Sequence, residues 1–296
     1  MHANPYALLT LTTLLWAGNA IAGKMAAGVI SPVALTFARW LIACVAFYFL
    51  ARPHLKNDWP AIRKSLPLLF GLGALGFSAF NFALYWALHY TTAINVTIEQ
   101  SAMPVLIIFA NYLFFSMRIT GLQAIGVLLT IIGVLVTATR GSPLAIFEIG
   151  INRGDAVMML AVLLYGSYTV ALRFRPDIHW TSLMFVLTCS AAIFALPFYA
   201  VEILRDGFRM PGPEAWAIIA YTAIFPSMVS QIFFIRGVAI LGANRAGLFI
   251  NLVPIFGALL AVLILGESFR PYHMVGLALV LGGIAVAERF GEHRPA

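Results

Sequence analysis

The sequence predicts an all-α integral membrane protein: ten transmembrane helices arranged as two inverted five-helix repeats. Three observations predict it. The 296 residues are 62% hydrophobic and only 10% charged, whereas a soluble domain carries about 25% charged residues. Apolar stretches of about 20 residues, the length that crosses a bilayer, recur from end to end. Landmark residues of the first half return in the second at an offset of about 150. Helices rather than a barrel are predicted. Lipid cannot satisfy free backbone groups, and the alternating pattern of a membrane β-barrel is absent.

The ten spans fall at 5–23, 32–51, 66–88, 93–115, 120–139, 155–173, 181–203, 215–239, 243–265 and 271–289. Span 1 carries Thr12, Trp16, Asn19 and Gly23 at helical spacing on one face. Its Ala20-Ile21-Ala22 resembles a signal-peptide cleavage site, but no Lys/Arg-rich segment precedes it, so cleavage is not expected. Span 2 contains Arg39 and Cys44. Between spans 2 and 3 lies the polar break Arg52–Ser65. Span 3 places Ser78, Asn81, Tyr85 and His89 on one face, with Gly71, Gly73 and Gly76 suited to close packing or bending. His89 to Thr92 leaves room only for a tight hairpin.

Span 4 is the most polar. Asn95, Glu99 and Met103 share a stripe, and Pro104 follows. Glu99 is the one carboxylate of eleven that falls deep inside an apolar span. A charge there costs about 2.5–3.5 kcal/mol on insertion scales, so it must meet a cavity, a substrate, a proton path or a cationic partner. Arg39 and Arg236 are the possible charge partners. Span 5 carries Gly126 and Gly133, and the break Arg140–Arg153 follows. Span 6 offers Tyr165 and Tyr168, and span 7 holds Cys189. The third break is Leu204–Glu214. Span 8 offers Ser227, Ser230 and Gln231. Span 9 contains Pro254 and ends on Gly266-Glu267, read as a connector or cap. Span 10 carries Gly276 and Gly283. Neither cysteine suggests a disulfide or metal framework.

The halves match in order. Ala93 and Pro104 correspond to Ala243 and Pro254, Gly126 and Gly133 to Gly276 and Gly283, and Asn81 falls opposite Gln231. A shift of about 149 pairs Trp16 with Tyr165, Asn19 with Tyr168 and Lys24 with Arg173. Five spans per half is an odd number, so the second copy enters the membrane upside down. Inverted repeats characterise secondary transporters, with the site near the midplane between halves. The units are drawn at 1–140 and 154–290, together one membrane domain. Pro104 and Pro254 cannot donate a backbone hydrogen bond, so each marks a kink or hinge.

The net charge is +7. The bases cluster in short joints, so the excess reads as topology rather than nucleic-acid binding. With a cytoplasmic N-terminus, ten Lys and Arg lie inside and six outside. Arg52, Lys56, Arg63 and Lys64 weigh most. Both termini are therefore placed in the cytoplasm.

Leu241-Gly242-Ala243-Asn244-Arg245-Ala246, Pro254, Leu265-Gly266-Glu267 and the Gly276/Gly283 helix resemble the second half of an EamA-type transporter of the drug/metabolite transporter superfamily. Arg39, Tyr90-Thr91-Thr92-Ala93 and Pro104 resemble the first half. Nearly the whole chain is covered, and it looks most similar to the aromatic amino-acid exporters of the YddG type. The resemblance implies ten helices, inverted repeats and alternating access for small metabolites in a bacterial inner membrane. One departure stands out: the Gly-Glu ending span 9 is Ser116-Met117 at the end of span 4, so a role needing both glutamates is not implied.

The expected substrate pocket comprises Trp16, Asn19, Ser78, Asn81, Tyr85, Glu99, Tyr165, Tyr168 and Gln231. Aromatics with isolated amides suit a flat amphipathic solute. The expected function is export of small amphipathic metabolites, amino acids with a preference for aromatic ones. Export of drugs or other metabolites, or a membrane-embedded enzyme using Glu99 as base, are the alternatives. Glu99 itself is read three ways: substrate-amine binding, proton carriage or a structural ion pair. No Walker loop, dinucleotide fingerprint or catalytic triad is seen, so no enzyme activity, cofactor or metal is expected. The partners expected are a small-molecule substrate and the lipid bilayer, with function as a monomer expected and a dimer left open.

Overall fold

In the computed structural model, residues 4–115, 120–142 and 152–289 are described. Ser116, Met117, Arg118, Arg294 and the two chain ends lie outside them. All regular structure among the described residues is helical. The elements are α1 (Pro5–Ala26), α2 (Pro32–Lys64), α3 (Leu66–Tyr90), α4 (Ala93–Gln100 and Met103–Phe115) and α5 (Gly121–Ala138). Then come α6 (Arg153–Ala171), α7 (Trp180–Asp206), α8 (Pro213–Leu241), α9 (Ala243–Leu248 through Val253–Leu265) and α10 (Pro271–Arg289). Among the described residues nine helices are long and apolar enough to cross a membrane, and Pro271–Ala287 forms a shorter apolar one.

One boundary corrects the sequence reading. The polar break at Arg52–Ser65 is helical as far as Lys64, despite Pro53 and Pro60 inside it. An internal proline costs about 3 kcal/mol. The offset comes from packing: Leu55 and Ile62 join a core cluster with Ile178 and Trp180 at the start of α7. Polar residues on the other face keep the extension solvated.

The helices pair laterally, α7 along α2, α6 along α3, and α1 against α8 and α9. The most extensive helix pairing is between α5 and α10. A Cβ on Gly126 would stand 2.5 Å from the Gly283 carbonyl oxygen, and one on Gly133 2.7 Å from that of Gly276. The four glycines that mark the internal repeat in the sequence are thus the contact line between its equivalent helices, the use of small residues common in membranes. Gly73 and Gly76 likewise meet Leu187 and Tyr168, whereas Gly71 faces open space.

Irregular turns fall at matching places in the two halves. α3 widens into a π-turn at Ala74–Ala79 and α8 at Phe225–Val229. Such bulges re-aim the residues that follow, here Asn81 and Ser230-Gln231. α4 breaks at Ser101-Ala102, and α9 tightens to a 3-10 turn at Phe249–Leu252. Each irregularity lies just before a proline, Pro104 or Pro254, whose missing N–H interrupts the backbone ladder.

Candidate functional site

Arg39 organises the centre of the bundle. It is 2% exposed, and its partners come from three other helices. Nε donates to Ser227 Oγ at 3.1 Å and Nη2 to the same oxygen at 2.6 Å. Nη1 donates to Asn19 Oδ1 at 2.9 Å, to Asn81 Oδ1 at 2.7 Å and to the Tyr85 hydroxyl. The Tyr85 hydroxyl donates in turn to Asn19 Oδ1 at 2.9 Å. The guanidinium lies 4.7 Å from the Trp40 ring centroid and 5.7 Å from that of Tyr85, a cation–π arrangement. Every one of these partners is neutral. A buried charge demands such partners, and here the positive charge is solvated without being cancelled.

Of the sequence-predicted residues, Asn19, Asn81 and Tyr85 join this knot, bonding Arg39 directly. Tyr165 packs on Phe80, the neighbour of Asn81, with ring centroids 5.0 Å apart, and on Tyr168 at 5.3 Å. Tyr168 also meets Phe77 at 5.8 Å. Trp16 and Gln231 are half-buried, Trp16 against Phe234 at 5.3 Å. Ser78 is placed otherwise: fully buried, it donates to the Ala191 carbonyl at 2.6 Å and ties α3 to α7. Arg236 is exposed on α8 with no ion pair to a described residue. Both carboxyl oxygens of Glu99 lack a partner, so Arg236 does not serve as its charge partner here.

Glu99 stands apart from the knot. It is fully buried, and neither carboxyl oxygen meets a hydrogen-bond partner among the described residues. The pairing with Arg39 left open by the sequence is not formed. Glu99 neighbours instead another carboxyl, that of Asp155 in the first turn of α6, where α4 packs against α6. Asp155 is 1% exposed. Its Oδ1 accepts from the Thr91 hydroxyl, while Oδ2 lacks a partner. Sequence reasoning missed Asp155, Thr91 and His273. An acid in a helix's first turn reads as an ordinary partner of the helix dipole, so nothing in the sequence distinguishes Asp155.

At the end of the bundle that holds Lys24, a cavity of about 580 Å³ is bounded by Ser31, His89, Glu202 and Arg209 among others. Ser31 Oγ lies 2.7 and 2.8 Å from the two carboxyl oxygens of Glu202. Nearby, Lys24 Nζ donates to the carbonyls of Leu88 and Thr91 at 2.8 and 2.7 Å, closing the C-terminus of α3. No cluster of three or more metal-ligating side chains occurs among the described residues.

Comparison with known proteins places this architecture. A Bacillus subtilis protein named as an uncharacterized transporter, YetK, is 25% identical over 95% of this chain and 86% of its own length. A probable terminal-alkyne amino-acid exporter of Streptantibioticus cattleyicolor is 26% identical over 97% of this chain and 95% of its own. A probable amino-acid metabolite efflux pump of Escherichia coli is 24% identical over 94% and 93%. A solved crystal structure superposes with a TM-score of 0.66 at 18% identity, covering 98% of both chains, and so shares the fold. The profile of the EamA-like transporter family matches twice, over residues 4–139 and 152–288. The chain therefore belongs to the EamA-like transporter family, as a multi-pass membrane protein of the transporter type.

Proposed function

We propose that the chain is a secondary transporter that exports amino acids, aromatic ones preferred, by alternating access between two five-helix units, 1–140 and 154–290. The observation that carries this reading is Arg39: a buried guanidinium held by neutral acceptors alone, among aromatic side chains. Nη2 gives one hydrogen bond, to Ser227, and its second proton has no described acceptor. A carboxylate is the natural ligand of such a group, because a guanidinium binds it through two parallel hydrogen bonds. Trp16, Tyr165 and Tyr168 supply apolar faces for a flat side chain. Asn19, Asn81, Tyr85 and Gln231 supply adaptable polar contacts, and Ser78 braces α3 behind them.

In this reading the carboxylate replaces some of the amide and phenol acceptors of Arg39. That exchange loosens the knot joining α1, α2, α3 and α8, and the units rock about the turns preceding Pro104 and Pro254. The exporters among the relatives support amino acids as the substrate class. The bacterial relatives support a bacterial inner membrane, and the Lys/Arg asymmetry supports both termini in the cytoplasm.

A competition screen in proteoliposomes tests the reading. Labelled phenylalanine counterflow should be suppressed by unlabelled aromatic amino acids and less by drugs or nucleosides. Transport of drugs without amino acids would overturn the substrate class. Chemical turnover without transport would overturn the carrier.

A further inference from the structure

We propose that Glu99 and Asp155 form a proton-binding site, separate from Arg39, in which Glu99 carries the proton and Asp155 is its ionised acceptor. The proposal rests on the transport reading only for what the proton does; the site itself stands on its own geometry.

Three carboxyl oxygens, both of Glu99 and Oδ2 of Asp155, are buried without a donor. As carboxylates the two groups can only accept, so facing oxygens gain nothing from each other. Two adjacent negative charges in a buried site cannot both persist. One proton resolves this: a Glu99 O–H donating to Asp155 Oδ2 satisfies an oxygen on each side and leaves a single charge.

The hydrogen bonds around Asp155 assign the proton to Glu99. The backbone N–H of Arg270 donates to His273 Nδ1 at 3.0 Å, which leaves Nε2 as the protonated ring nitrogen. Nε2 then donates to Asn95 Oδ1 at 3.0 Å. Asn95 Nδ2 donates to Thr91 Oγ1 at 3.2 Å, and the Thr91 hydroxyl donates to Asp155 Oδ1. Every donor in this string points toward Asp155. A string oriented one way stabilises a negative charge at its end, so Asp155 is the anion.

The other charged groups around the site fit this division. Arg140, just beyond α5, acts on Asp155 at long range without an ion pair. Lys24 from α1 is held by the α3 carbonyls, and Glu267 beyond α9 is held by backbone N–H groups of α4. From α3, His89 Nδ1 lies 2.9 Å from the Tyr85 carbonyl oxygen, and Tyr85 is engaged with Arg39. None offers Glu99 a cation. A proton needs two of the three orphaned oxygens, one on each carboxyl.

The site also lies where the helix can respond. The Glu99 carbonyl accepts from Ala102 N at 3.0 Å, in the turn where α4 breaks before Pro104. Loss of the proton puts two charges side by side at that break and drives them apart.

Infrared spectroscopy of the purified protein tests the pair without any substrate. At neutral pH a protonated-carboxyl band should be present in the wild type, absent in Glu99→Gln and retained in Asp155→Asn. No band in the wild type, or a band that survives Glu99→Gln, would overturn the assignment. Proteoliposomes test its use. A pH gradient of one unit should drive about tenfold accumulation of labelled phenylalanine for one proton per substrate, and Glu99→Gln should reduce that to no accumulation. Accumulation driven by sodium at equal pH, or gradient-driven accumulation intact in Glu99→Gln, would overturn proton coupling. The band without phenylalanine transport would leave the proton pair standing and count against the transport reading alone.

Discussion

Glu267 caps α4 from the far end of α9: its Oε1 accepts from Ala93 N at 2.8 Å and its Oε2 from Ile94 N at 3.1 Å. Gly266 makes the link possible. Its φ of 66° turns the chain at the end of α9, a conformation that glycine adopts without strain. A carboxylate at a helix N-terminus meets free N–H groups and the positive end of the dipole. Glu267→Ala should cost about 1–2 kcal/mol, read as a lower melting temperature, with Glu267→Gln recovering part of the loss. Equal melting of all three proteins would mean that the cap contributes nothing.

The α5–α10 contact makes a sharper demand. Gly126→Ala or Gly283→Ala forces a methyl into the opposing backbone, and each should destabilise by about 1–3 kcal/mol. Gly282→Ala, beside them in sequence but facing open space, should be neutral. Because Gly126 and Gly283 touch, the double variant should lose less than the sum of the two. Thermal unfolding in detergent measures all four.

At the opposite end, His54 and His179 stack with ring centroids 3.6 Å apart, and the His179 backbone N–H donates to Asp58 at 3.2 Å. Desolvation, then the His54 ring, holds His179 below its ordinary value, with Asp58 opposing. A histidine depressed in the fold binds fewer protons folded than unfolded, so stability rises with pH in that window. The contribution is present above the unfolded value near 6.5 and is lost as pH falls toward the folded one. Melting temperature should therefore drop between about pH 7 and pH 5, and less in His54→Gln. An unchanged slope in that variant would remove the stack from the account.

Orientation is tested by labelling. In a protein lacking Cys44 and Cys189, Lys56→Cys should resist a membrane-impermeant thiol reagent in intact cells, and Arg209→Cys should react. The reverse pattern would invert the topology.

The spans were legible because a helix in lipid must be long and apolar wherever the chain goes. Their limits failed where that rule stops. The polar stretch Arg52–Ser65 read as a break, yet beyond the membrane Leu55 and Ile62 supply packing that outweighs Pro53 and Pro60. Glu99 was legible as a lone acid in an apolar span. Its partner was not, because Asp155 sits where acids are ordinary and the meeting of α4 with α6 is set by tertiary packing. Asn19, Asn81 and Tyr85 could each be named from helical faces, and Arg39 as a charge inside span 2. That they bond one another follows only once α1, α2 and α3 are seen to converge.

The most direct test of the account concerns what Arg39 binds. Labelled phenylalanine is exchanged by the wild-type carrier in liposomes, and two unlabelled competitors are compared. Phenylalanine carries the carboxylate that Arg39 should hold, and phenylethylamine lacks it while keeping the ring and the amine. Loss of a charged, bidentate hydrogen-bonded contact should weaken competition by about tenfold or more. Strong competition by phenylalanine and weak competition by phenylethylamine is the predicted result. Equal competition by the two would contradict a substrate carboxylate at Arg39.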